Sequence, residues 1–192
     1  MTHPFPGRGN VLLLATCQAL VLSAIVMAMA LGAILGDALA ADKRLAPLPI
    51  AAMVIGTALA SLPAAMLMRR RGRRGGFMLG AALGVAGSLL CTWALREQYF
   101  AGFVAGHFLL GAYQGFANYY RFAAVEATDT DHGSRAISLV VAGGIVAAFL
   151  GPQLGQWGRD WMAEQVFAGS YLAQGGLSLL ALALLSRLDL PR

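Results

Sequence analysis

The chain has 192 residues, of which 58% are apolar and only 12% charged, against roughly 25% charged in an ordinary soluble domain. Its mean hydropathy of +0.67 sets aside a water-soluble enzyme. The net charge of +5 lies between apolar runs rather than on one basic face, which sets aside a nucleic-acid partner.

Charged residues divide the chain into six uncharged runs of 28, 24, 21, 23, 23 and 22 residues, and a bilayer core of about 30 Å needs about 20 residues of helix. The first run, Gly9–Gly36, is too long for a signal-peptide core and is read as a retained helix over about 11–36. It carries a small polar group, Thr16 and Gln18, beside Cys17. The second span, 45–68, has small residues four apart at Gly56, Ala60 and Ala64; the third, 75–95, repeats this at Gly76, Gly80 and Gly84. Small residues at that spacing let helix backbones approach where lipid gives no hydrophobic drive for association. Between these two spans lies Arg69-Arg70-Arg71-Gly72-Arg73-Arg74, a tight turn in which Gly72 permits a left-handed backbone.

The fourth span, 98–120, has the most unusual chemistry. His107, Gln114 and Asn118 stand at offsets of 0, 7 and 11, which return to within roughly 20° of one direction on a helix, so they share a face. A polar face turned to lipid is costly, so it must face protein or a water-filled cavity, and the cavity is the preferred reading. His107 sits near mid-membrane depth, where an ionisable side chain marks a candidate proton carrier, the alternative being a neutral ring bonded to a neighbouring helix. In the fifth span, 136–158, Gly151-Pro152 followed by Gly155 calls for a bend, either a hinge or a fixed shape, because proline removes a backbone donor and crowds the preceding turn. The sixth span covers 165–186.

Each run is too long and too evenly apolar for a barrel strand. The expected architecture is an all-α, six-helix transmembrane bundle forming a single unit over residues 1–192. Lys and Arg number 10 on one set of alternate loops and ends and 4 on the other, which by the positive-inside rule puts both termini in the cytoplasm of a multi-pass inner or plasma membrane protein.

These features together resemble the amino-terminal half of a major facilitator superfamily transporter. The family's signature between its second and third helices, Gly-x-x-x-Asp-Arg/Lys-x-Gly-Arg/Lys-Arg/Lys, runs here from Ala65 to Arg74. Arg70, Gly72, Arg73 and Arg74 match; Ala65 replaces glycine and Arg69 replaces the aspartate. In the fourth helix the pattern Arg-x-x-Gln-Gly is similar to Gly111 through Gly115, with Gln114 retained and the proton-linked arginine replaced by Gly111, so a proton role would pass to His107. The antiporter pattern of the fifth helix is similar to Ala147–Gln156, retaining Gly151, Pro152 and Gly155.

The resemblance implies secondary transport of a small solute by alternating access, with a substrate and proton pathway of His107, Gln114, Asn118 and Gln18. It also implies a cytoplasmic gate of Arg70, Gly72, Arg73, Arg74, Glu126 and Arg135, and a helix-five hinge at Gly151, Pro152 and Gly155. Proton coupling and exchange are implied in the same way. The expected partners are the lipid bilayer, a small-molecule substrate and a second six-helix half, supplied by the same polypeptide if the chain is truncated after Arg192 or by a second copy. No cofactor, metal or nucleic acid is called for, and the absence of a Gly-x-x-x-x-Gly-Lys-Ser/Thr loop argues against an ATP-driven pump. Two other readings stay open: a non-transporting assembly or partner protein, and transport of a soft metal such as copper through Met27, Met29, Met66, Met68, Cys17 and Cys91.

Overall fold

The computed structural model describes residues 7–129, 132–162 and 165–189, so Arg192 and the end of the chain beyond Asp189 lie outside the described residues. Apolar sequence and small-residue spacing give helix throughout: α1 (Arg8–Leu39), α2 (Leu48–Arg96), α3 (Phe100–Ala117), α4 (Tyr120–Glu126), α5 (Gly133–Trp157) and α6 (Ala168–Leu185), with a short 3-10 turn at Lys43–Leu45. By length and composition α1, α5, α6 and the stretch from Lys43 to Arg96 are apolar enough to cross a membrane.

The 49-residue α2 is two helices in one, because Gly72 has φ 81° and ψ 161° and breaks the helical path. Across this break Gly76 packs on the Met68 side chain, eight residues away along the chain, which requires the two arms (48–71 and 73–96) to fold back on one another. The glycine contacts give their directions. Along the first arm, Met53, Gly56 and Thr57 meet Gly111, Phe108 and Gly115, whereas along the second arm Gly80, Gly84 and Gly87 meet Phe116, Tyr113 and Gly106. Thus α3 runs parallel to the first arm and antiparallel to the second.

Similar pairings orient the rest. α5 runs parallel to α1, with Gly143 against Ala15 and Ala19 and Gly155 against Met27 and Leu31. α6 runs antiparallel to the second arm, with Thr92 against Ala168 and Gly84 against Ser178. Successive long helical segments therefore alternate in direction. One end of the bundle collects Gly7, packed on Ala127, the Asn10–Asp189 hydrogen bond and the Gly72 break; the opposite end collects the Lys43–Leu45 turn and the Gln98–Gln165 hydrogen bond of 2.8 Å.

The small residues do the packing. Gly111 lies so close to the Met53 backbone that a Cβ would collide with its carbonyl, and Thr57 Oγ1 reaches the Gly111 carbonyl at 3.0 Å. Such contacts hold helices together in lipid, where burying leucine gains little. α1, α3 and α6 form the interior, while the first arm (Ile55, Leu59, Leu62) and α5 (Ile145, Val146, Phe149) keep large apolar side chains exposed.

The helix ends differ from the uncharged runs in instructive ways. α1 takes in Arg8 and Asp37, since a charge at a helix end reaches polar surroundings without ending the helix. The fourth run turns at Asn118 and Tyr119, then continues as α4 to Glu126. α5 passes through Pro152 as one helix.

Candidate solute cavity and gate

The polar residues of α1 and α3 are positioned by the α1–α3 crossing and by the turn that ends α3. Near the Gly72 end, Gln18 and Leu22 of α1, Asn118 and Arg121 at the α3–α4 turn, and Val140 and Val141 of α5 line a cavity of about 170 Å³. Asn118 caps α3, and its backbone carbonyl accepts from Arg121 Nε at 3.3 Å, which keeps the guanidinium at the α3–α4 turn. Arg121 also stacks over Phe122, 5.7 Å from the ring centroid. The cavity thus combines two amides and one cation with an aliphatic wall. Gln114, one turn before Asn118 on α3, is half-buried.

His107 has different surroundings. It is fully buried in a seam where α1, the second arm of α2, α3 and α6 meet, so the expected polar line divides instead of lining one cavity. Its end at Asn118 opens beside Gln18, while its His107 end is covered by Ala28 and Gly32 of α1. His107 Nδ1 lies 3.0 Å from the Phe103 carbonyl and 3.6 Å from Cys91 Sγ; Nε2 lies 3.2 Å from the Tyr171 hydroxyl and 3.4 Å from the Ala28 carbonyl. In the neutral ring Nδ1–H donates to Phe103 and Nε2 accepts from Tyr171. A protonated ring finds acceptors at both nitrogens, Phe103 on one side and Ala28 or the Tyr171 oxygen on the other. Hydrogen-bond partners are thus present for either form of the ring.

At the Gly72 end, the break in α2 presents Arg73 to Glu126, the last residue of α4. The pair is two-pronged: Arg73 Nε donates to Glu126 Oε2 at 2.9 Å and Nη2 pairs with Oε1. Arg70 and Arg74 are exposed on the same turn. Arg69, in the position where the family signature carries aspartate, lines with Arg73, Tyr119, Phe122 and Glu126 a cleft of about 560 Å³ between the first arm and α4. Arg135 is exposed in the first turn of α5.

The glycines of α5 act as contact surfaces. Gly151 packs on Val26 and the Ser23 carbonyl, Gly155 on Met27 and Leu31, and the Gly155 carbonyl accepts from Ser170 Oγ at 2.8 Å. Pro152 itself is exposed. Among the described residues no group of three or more His, Cys, Asp or Glu side chains could hold a metal ion. Cys17 Sγ faces the Ala181 carbonyl and Cys91 Sγ the Phe103 carbonyl, each at 3.9 Å.

A model of the Major Facilitator Superfamily matches residues 11–192. The chain belongs to that family. It is accordingly a multi-pass membrane protein of a transporter family, not an enzyme. Riboflavin transporter RfnT of Brucella anthropi is 41% identical over 192 residues, which are 100% of this chain and 48% of the relative. The crystal structure of a D-xylose-proton symporter superposes with a TM-score of 0.77 at 16% identity, covering 94% of this chain and 48% of that one; at that identity the likeness is one of fold. The chain spans about half the length of both.

Two site residues escaped the sequence reading of this superfamily member. Arg121 entered there as a topological charge and as part of the loop between the fourth and fifth spans, not as a site residue, although its position three residues after Asn118 puts the two on one helical face. Tyr171 lay in a run read as apolar, and nothing local couples it to a histidine 64 residues away.

Proposed function

We propose that the chain forms one half of a secondary transporter that moves a flavin-like solute, riboflavin in the first instance, by alternating access. The observation that carries this reading is the convergence of Gln18, Asn118 and Arg121 on one open cavity beside the aliphatic face of α5. A volume of about 170 Å³ is well below the roughly 300–1,000 Å³ of complete small-molecule pockets, as suits half a site awaiting its other wall. The exposed apolar faces of the first arm and α5 are the surfaces on which a second six-helix half, from the same polypeptide or a second copy, would sit. Substrates of this family's architecture are held between two such halves.

The chemistry fits the solute named by the 41%-identical relative. An isoalloxazine ring is flat and apolar, with an imide edge that alternates acceptor, donor and acceptor. A side-chain amide offers both complements to that edge, an arginine offers donors, and valine and leucine suit the ring face. On this reading the Gly72 end faces the cytoplasm, Arg73–Glu126 is a contact that forms with closure or opening at that end, and His107 is the proton-carrying group. Coupling requires that solute and proton each bind the two states with different affinity.

Riboflavin binding to the full-length protein in lipid nanodiscs, read by quenching of flavin fluorescence, tests the assignment. Losing one hydrogen bond to the solute costs about 1–1.5 kcal/mol, so Asn118→Ala and Gln18→Ala should each weaken binding about tenfold. Affinity unchanged in both variants would remove the cavity from the solute path.

A further inference from the structure

In a neutral imidazole one nitrogen donates and the other accepts, and the groups opposite each decide the assignment. Opposite Nδ1 of His107 stands the Phe103 carbonyl at 3.0 Å, which can only accept. A bare Nδ1 would set two lone pairs against each other there. The Cys91 thiol, 3.6 Å from Nδ1, is a weak donor and also faces the Phe103 carbonyl, so it does not offset that repulsion. Opposite Nε2 stands the Tyr171 hydroxyl at 3.2 Å. Tyr171 is 0% exposed, and among the described residues its hydroxyl has no other hydrogen-bond partner. Were Nε2 to carry the ring's hydrogen, that hydroxyl would become a buried donor with no acceptor, which is the costly condition.

Packing holds the ring in this orientation. Phe103 and Tyr171 meet it edge-on, with centroids 4.4 and 5.7 Å away. On the side of α1 the space is closed by Gly32, where an added Cβ would stand 3.0 Å from Nε2 and 3.2 Å from Ile50 Cγ1. A helical side chain covers the turn that precedes it, so the missing side chain at Gly32 bares the Ala28 carbonyl to the ring, 3.4 Å from Nε2.

We propose that Tyr171 is a positioning residue for His107: by donating to Nε2 it holds the ring in the Nδ1–H tautomer, the one that free histidine disfavours, and so makes Nε2, beneath the Ala28–Gly32 segment of α1, the atom that takes up and releases the proton. In uptake the Nε2 lone pair binds a proton from water, the ring gains one positive charge, and the Tyr171 hydroxyl turns its hydrogen away from the ring. The groups facing the ring are Cys91 from the second arm of α2, Phe103 from α3, Tyr171 from α6 and the Ala28 carbonyl from α1. None is charged, and an imidazolium enclosed by these alone is costly, so the enclosed ring is the neutral one. The use of Nε2 in transport rests on His107 being the proton carrier; the tautomer does not.

The test is solid-state NMR of the full-length protein in liposomes at mildly alkaline pH, with nitrogen-15 in the histidine rings and the His107 signals identified by their loss in His107→Gln. The parent should show Nδ1 protonated and Nε2 bare. In Tyr171→Phe the Nε2 resonance should move downfield, towards that of a ring nitrogen with no donor, while Nδ1 stays in place. If that variant does not fold, protein grown with a ring-fluorinated tyrosine, whose phenol is a stronger donor, should move Nε2 upfield instead. A main signal from the Nε2–H tautomer would overturn the proposal, as would an Nε2 resonance that Tyr171→Phe, or the fluorinated ring in its place, leaves unmoved. Riboflavin uptake whose rate and pH dependence survive His107→Gln would strike the proton-carrier reading alone.

Discussion

Substituting Gly72 isolates one physical term. Its φ of 81° and ψ of 161° fall in a region that is essentially restricted to glycine, and a side chain held there costs about 1–3 kcal/mol. An added Cβ would meet nothing within 4 Å, so Gly72→Ala carries no collision and its cost is backbone strain alone. Gly75, three residues on, supplies the control. It is helical, and its added Cβ would stand 3.7 Å from Arg71 Cβ, an ordinary contact; alanine in a helix gains about 0.5–1 kcal/mol over glycine. Reversible unfolding by SDS in mixed micelles should therefore show Gly72→Ala less stable by about 1–3 kcal/mol and Gly75→Ala as stable as the parent or more so. The same strain acts on the turn that sets Arg73 against Glu126, so Gly72→Ala should also weaken that pair. A Gly72→Ala protein as stable as the parent would refute the claim that this glycine makes the reversal between the two arms.

Two further outcomes follow from the same end of the bundle. The Arg73–Glu126 pair is 25% and 50% exposed, so it contributes about 0.5–1 kcal/mol despite its two-pronged geometry; a double-mutant cycle with Arg73→Gln and Glu126→Gln should give a coupling of that size, shrinking in high salt. If the Gly72 end is cytoplasmic, a membrane-impermeant thiol reagent should label a cysteine at Arg74 only in inside-out vesicles and one at Arg159 only in right-side-out vesicles, with both native cysteines buried and unreactive. Labelling in the reverse pattern would invert the topology.

What the sequence made legible was local. The long uncharged runs, the glycine that breaks α2 and the small-residue stripes are properties of neighbouring residues, and each appears in the helices and their contacts. Angular arithmetic put His107, Gln114 and Asn118 on one side of a helix. It could not show what covers that side, because α1 closes it at Ala28 and Gly32 and leaves it open at Gln18, a consequence of how two helices far apart in sequence cross. Long-range pairing was hidden for the same reason. Arg73 and Glu126 are 53 residues apart; the family resemblance implied one gate for both, but nothing in their spacing pairs them. The Tyr171–His107 bond was invisible because tyrosine reads as apolar in a hydropathy count; only enclosure turns a phenol into a group that must find a partner.

The assignment as a solute half-site is tested most directly by uptake. Cells unable to make riboflavin, supplied with the radiolabelled vitamin and expressing the full-length protein, should accumulate it saturably, and Asn118→Ala at equal abundance in the membrane should reduce the initial rate at low concentration about tenfold. Uptake no greater than in cells lacking the protein, or uptake that Asn118→Ala leaves unchanged, would contradict it.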